Sequence, residues 1–143
     1  MTTLVKQRTR MDCAICCMAM LTGRGYGDVM AAVGDAFNPV KGLRHDQQAL
    51  RRLGFRFEYL NGHPVGDAVV RLRGILAPEF FLCLAWGRCA LISVPSLNYA
   101  DSFHMVYYDG RRVFDPAPKK TYRTFADLRP NEMVLFRKAA GDG

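Results

Sequence analysis

Cys13 lies between an acidic residue and a run of helix formers, in Asp12-Cys13-Ala14-Ile15-Cys16-Cys17-Met18-Ala19-Met20-Leu21. Asp12 is an N-cap residue type, so its side chain is expected to accept free backbone N–H groups of the first turn and to place Cys13 within that turn. The partial positive charge of a helix start favours thiolate over thiol. Gln7 lies six residues upstream of Cys13 in a stretch expected to be extended, where its amide can donate to an oxygen held near the sulfur. A thiol at a helix start with an amide donor behind it is the front half of a cysteine-nucleophile site.

The back half requires a histidine and a group to orient it. His104 opens the apolar run Met105 to Tyr108, and Asp109-Gly110 reads as a tight hairpin turn. Val113, Phe114 and Asp115 begin the return strand, which Pro116 stops. Residues 104 and 115 then sit near the same end of the hairpin on adjacent strands. Asp115 can hold the far nitrogen of His104 while the near nitrogen faces Cys13, which makes a Cys/His/Asp relay. Asp101 before the strand and Asp109 at the far tip are rival orienters without that cross-strand placement.

The elements that must position these groups follow from periodicity and breakers. Residues 13–22 read as the central helix, with Ala14, Cys17, Met18 and Leu21 on one face and Gly23 closing it. Asp28 is expected to cap a second helix over residues 29–37, which Pro39 prevents from continuing. Asp46 caps a third over 47–53, ended by Gly54. Phe55, Phe57 and Tyr59 alternate with Arg56 and Glu58 as a half-buried strand, and Asn61-Gly62-His63-Pro64 is a turn. Residues 65–73 are open between helix and strand. Pro78 starts a helix through Trp86, residues 89–94 form a buried strand, and the loop 95–103 delivers His104. Thr124 caps a short helical turn over 125–128, and 132–136 is a final strand. The fold class is therefore α+β, with a helical first half and the nucleophile's helix packed on an antiparallel sheet.

The ordered set Gln7, Asp12-Cys13, a small-residue and Met/Leu-rich helix ending in Gly23, then His104 with a hydrophobic strand, a hairpin and Asp115-Pro116 resembles the papain-like cysteine peptidases that process bacteriocin leaders. Gly42-Leu43 through Leu53-Gly54-Phe55 also resembles their middle section. The resemblance runs from about Leu4 to about Lys138. It implies a papain-like fold with Cys13 as nucleophile, His104 as base and acid, Asp115 as orienter and Gln7 as oxyanion donor. It implies as substrate a peptide or protein cut after small residues such as Gly-Gly. Ala14 departs from the glycine usual after the family's cysteine, which bears on substrate choice. A non-catalytic peptide-binding module on the same fold is the alternative.

At 143 residues, half of them apolar, the chain fits a single domain over 1–143, with 138–143 as a flexible tail. The N-terminus has no apolar run of a secretion signal, and Phe80 to Trp86 is far short of a membrane span, so a soluble, cytoplasmic protein is expected. Five cysteines, an odd number, read as free thiols, with Cys16, Cys17, Cys83 and Cys89 as core residues. Cys83 and Cys89 lack the spacing of a zinc knuckle, and no cofactor or metal is implied. His45 and His63 read as solvated surface groups. The stretch Gly23-Arg24-Gly25-Tyr26-Gly27 follows a helix and lacks the Lys-Ser/Thr of a phosphate loop. The net charge of +7 comes from scattered arginines, and no nucleic-acid motif accompanies it.

Overall fold

The computed structural model describes residues 2–43, 46–56, 59–61, 63–64, 66, 68–73, 83, 85 and 87–136. Its central element is helix α1 (Cys13–Thr22), with the limits expected. Gly23, at φ 73°, ends it in the left-handed conformation and donates its N–H to Ala19 O at 2.9 Å. One buried face was expected, yet every residue from Ala14 to Met20 is buried. The reason is compositional: alanines, thiols and thioethers give α1 no polar side, so it is covered all round. Strand β7 (Phe103–Tyr108) and helix α2 (Tyr26–Val33) both pack on it.

Helix α2 starts earlier than expected. Gly25 takes the N-cap position, and Asp28 lies inside the first turn, where its charge complements the helix dipole. The helix ends at Gly34, five residues before Pro39, because that glycine takes φ 56° and ψ −128°, outside helical space. A 3-10 turn (Gly34–Ala36) then leads to strand β1 (Phe37–Asn38), so residue 37 is extended rather than helical. β1 pairs with β2 (Gly42–Leu43), and Asn38 Oδ1 closes the hairpin by accepting from Val40 N and Lys41 N at 2.8 and 3.0 Å. Helix α3 (Asp46–Arg52) ends before Gly54 (φ 97°), as expected. Arg52 ties it back to α2 through Val33 O at 2.5 Å and Asp35 at 2.9 Å.

Of the strand expected over 55–59, Phe55 and Arg56 lie outside any strand and Tyr59 lies in one. β3 (Tyr59–Leu60) pairs with β4 (His63–Pro64) around Asn61, whose φ of 49° makes the turn. Phe55 instead stacks on Phe136, with ring centroids 5.1 Å apart. His63 and Pro64 thus belong to a strand rather than to the turn, since His63 pairs with Leu60. Residues 68–73, open between helix and strand, are β5 (Ala68–Arg73). Phe57, Glu58, His45, most of the helix expected over 78–86 and the C-terminal tail lie outside the described residues.

The main sheet has five strands in the order β5-β9-β6-β7-β8, each neighbouring pair antiparallel. Here β6 is Ala90–Pro95, β8 is Val113–Phe114 and β9 is Glu132–Phe136. Alternation divides the side chains into two cores. Cys89, Leu91, Tyr107, Val134 and Phe136 pack with Ile15, Met18 and the other helices. Ile92, Val94, Val106, Tyr108, Met133 and Leu135 face the other way, where Tyr122 and Leu128 cover them. Helices on one face and the loop bearing the 3-10 turn Phe125–Asp127 on the other give an α+β layout. Among the described residues, no helix is long and apolar enough to cross a membrane.

Candidate active site

The site lies where the start of α1 meets the start of β7. Tyr107 pairs with Phe114 across β7 and β8, so one step further in that register Asp115 stands opposite Val106. His104 is two residues from Val106, on the same side of the sheet. The sheet therefore sets imidazole and carboxylate diagonally side by side. His104 Nε2 and Asp115 Oδ1 are 2.5 Å apart, both groups buried. Because His104 is near the strand's start, its ring shares the cleft with the Cys13 thiol and is electrostatically coupled to it. With Nε2 engaged by Asp115, the nitrogen left for Cys13 is Nδ1.

Asp115 is fixed on every side. Oδ1 also accepts from Ala117 N at 2.9 Å, and Oδ2 accepts from Tyr122 N at 2.7 Å. Behind it, Lys6 Nζ donates to Ala117 O at 2.6 Å and Gln7 N donates to Pro116 O at 2.8 Å. The N-terminal segment thus holds the Asp115–Ala117 bend against the cleft. The rivals serve elsewhere: Asp109 Oδ1 accepts from Arg111 N and Arg112 N at the hairpin tip, and Asp101 is exposed in the 96–102 loop.

Asp12 does not cap α1 as expected. Its carboxylate turns back to accept from Arg8 N at 3.0 Å, Thr9 N at 3.2 Å and Tyr26 Oη at 2.6 Å. Burial penalises its charge, but these bonds prevail and hold its pKa below the ordinary value. The exchange has a chemical consequence. The first-turn N–H groups of α1 lack a side-chain cap and flank the thiol, as an oxyanion would require. Tyr26 has no sequence signal as a site residue, because only the fold brings it to Asp12. Lys6 is equally silent.

Gln7 lines the cleft with Cys13 and His104, as expected, but its amide nitrogen donates to Thr9 O at 3.1 Å and Arg10 O at 3.2 Å. To serve an oxyanion it would release one of these carbonyls. Cys13 is half-buried, whereas Cys16 and Cys17 are wholly buried. Burial, together with the charges of Asp12 and Cys13, pushes the Cys16 thiol up to about 12. Burial likewise pushes Cys17 well up, and its thiol donates to Met105 O at 3.4 Å. Cys89 is buried as expected, but Cys83 is exposed, contrary to its reading as a core residue. Among the described residues, no three His, Cys, Asp or Glu side chains converge as a metal-ligand set.

Two depressions open on either side of the Cys13–His104 pair. The larger, about 500 Å³, runs from Gln7 and Arg10 to Asn98, Tyr99 and Phe103. The smaller, about 250 Å³, is bounded by Ala14, Lys41, Gly42, Leu43 and Met105. An extended chain crossing the thiol would enter both.

Burial lowers the His104 pKa, but the Asp115 hydrogen bond and the Cys13 sulfur outweigh it and raise the ring to about 9. Its contribution to stability is therefore complete below about pH 6.5, the ordinary value, and is lost as the pH rises through about 9. An NMR titration of the imidazole C–H signals should show His104 titrating near that upper value. In Cys13→Ala the midpoint should fall, because one of the two partners that raise it is gone. A midpoint unmoved by that substitution would mean that the thiol does not face the ring.

No family model matches this chain, and neither a curated protein nor a solved structure is significantly similar to it.

Proposed function

We propose that this chain is a cysteine peptidase of papain-like fold. The observation that carries the reading is the His104 ring held by the buried Asp115 carboxylate in a cleft it shares with a half-exposed thiol at an uncapped helix start. His104 Nδ1 takes the Cys13 proton, leaving a thiolate–imidazolium pair. The sulfur attacks a peptide carbonyl, and the oxyanion is met by the Cys13 backbone N–H and the Gln7 amide. The imidazolium protonates the leaving amine, and water, deprotonated by the same ring, hydrolyses the thioester. By the resemblance to leader-processing peptidases, the bond cut follows small residues such as Gly-Gly. Free thiols fit a reducing, cytoplasmic compartment.

The test is mass spectrometry of quenched peptides with a central Gly-Gly after incubation with the chain. New termini at that bond are expected, and the absence of any cleavage across a varied peptide set would overturn the reading. Gln7→Ala should lower kcat by about 100- to 1000-fold if the amide leaves its carbonyls for the oxyanion. An unchanged kcat with a lowered melting temperature would instead confine Gln7 to bracing the 7–10 loop.

A further inference from the structure

Among the described residues, the charged side chains lining the two depressions, apart from the His104–Cys13 pair, are Arg8, Arg10 and Lys41, and all are cations. No aspartate or glutamate among the described residues lines either one. Arg8 and Arg10 are not ion-paired to any acid among the described residues. Each guanidinium instead lies over an aromatic ring: the Arg10 guanidinium carbon sits 4.0 Å from the Tyr99 centroid, and that of Arg8 sits 4.1 Å from the Tyr26 centroid. Stacking orders a guanidinium by its face and leaves the N–H groups of its edge open to a carboxylate.

The Tyr26 side chain and the Tyr99 backbone are held. Tyr26 is fixed through its hydroxyl to Asp12. Tyr99 sits in a loop whose backbone is braced by Ser96 Oγ, which accepts from Asn98 N and Tyr99 N at 3.2 and 3.0 Å. The Asn98 side chain bonds Lys120 at both its N–H and its carbonyl. The larger depression thus presents a guanidinium over an aromatic ring of a braced loop, its charge unmatched among the described residues, beside the nucleophile. Phe103 borders both depressions and is 65% exposed, offering an apolar surface next to the thiol.

From these observations we infer that the larger depression selects peptides carrying an acidic side chain on one side of the cleaved bond, with Arg10 as the residue that reads it and Arg8 as its support. The inference deepens the peptidase reading and rests on it for the word "cleaved". The binding preference stands on the arginines alone. An exposed pair of this kind is worth about three- to fivefold for each arginine, and it weakens with salt.

The experiment uses a set of Gly-Gly decapeptides in which each flanking position in turn is Asp, Asn or Lys. Two quantities are read: kcat/KM with the wild-type chain, and fluorescence anisotropy of the same peptides bound to Cys13→Ala. Asp is expected to exceed Asn by about three- to fivefold or more at positions on one side of the bond only. Arg10→Glu should reverse the ranking so that Lys exceeds Asp at those positions, and 0.5 M salt should flatten both rankings. If Asp and Asn are equal at every position, or if the preference survives Arg10→Glu, the inference is overturned. If no peptide is cut but Cys13→Ala binds the Asp peptides in the expected order, the inference holds as a binding preference and the peptidase reading fails. Tighter binding of a mixed oligonucleotide than of any Asp peptide would assign the arginines to nucleic acid and overturn it.

Discussion

Cys13→Ala should remove at least about 10,000-fold of the peptidase turnover and leave the fold in place, since the nucleophile of such a relay carries nearly the whole covalent route. The two neighbouring thiols cannot take over. Cys16 is wholly buried and pushed up to about 12, and Cys17 is buried against Met105 O. Stability should change by no more than about 1 kcal/mol, because the sulfur lost is half-exposed at the cleft and alanine is a good helix former. The Asp115 side of the ring keeps its bond. Turnover on the peptide set and a thermal melt, run together, check both halves. Retained turnover would move the chemistry away from this cysteine, and a collapsed melt would make Cys13 a structural residue.

The parts of the chain that were legible beforehand are those governed by local chemistry. The limits of α1 follow from Cys13 to Thr22 being unbroken helix formers ahead of a glycine, and a hairpin between 104 and 115 follows from Asp109-Gly110 between two apolar runs. Its loop, however, spans residues 109–112 rather than a tight turn and so sets Asp115 diagonal to His104. Cross-strand geometry then put Asp115 beside His104 without any tertiary information. What was not legible depends on contacts distant in sequence. Asp12 has the composition of a cap, but the Arg8 and Thr9 N–H groups and the Tyr26 hydroxyl compete for its oxygens and win. Helix α2 ended early because a glycine adopted a non-helical conformation that its neighbours left open, and residue 37 went to a two-stranded ladder with β2. Gln7 was placed correctly beside the thiol by spacing, yet the direction of its amide depended on a loop closure that no pattern announces.

Asp115→Asn should separate positioning from chemistry more sharply than any other substitution in the cleft. The native carboxylate accepts three times: Oδ1 from His104 and Ala117 N, and Oδ2 from Tyr122 N. An amide has one oxygen and one NH2, so in either orientation a buried N–H meets a donor. Each such mismatch costs about 1–3 kcal/mol. If the oxygen stays with Tyr122, the NH2 faces Nε2 and holds the ring in the tautomer with its proton on Nδ1. That nitrogen then points an N–H at Cys13 and cannot take the thiol's proton. A loss of about 10,000-fold in kcat/KM is expected on that account. The carboxylate's charge is lost as well, so the His104 midpoint should fall well below about 9. Asp115→Ala, which also strands the Ala117 and Tyr122 N–H groups, should destabilise the fold by about 3–5 kcal/mol. Asp101→Asn and Asp109→Asn serve as controls, because neither side chain touches the ring. A relay run by Asp115 predicts turnover close to wild type in both controls and almost none in Asp115→Asn. Near-native turnover in Asp115→Asn would mean that the carboxylate only braces the Ala117 bend and that His104 is oriented by the sheet alone.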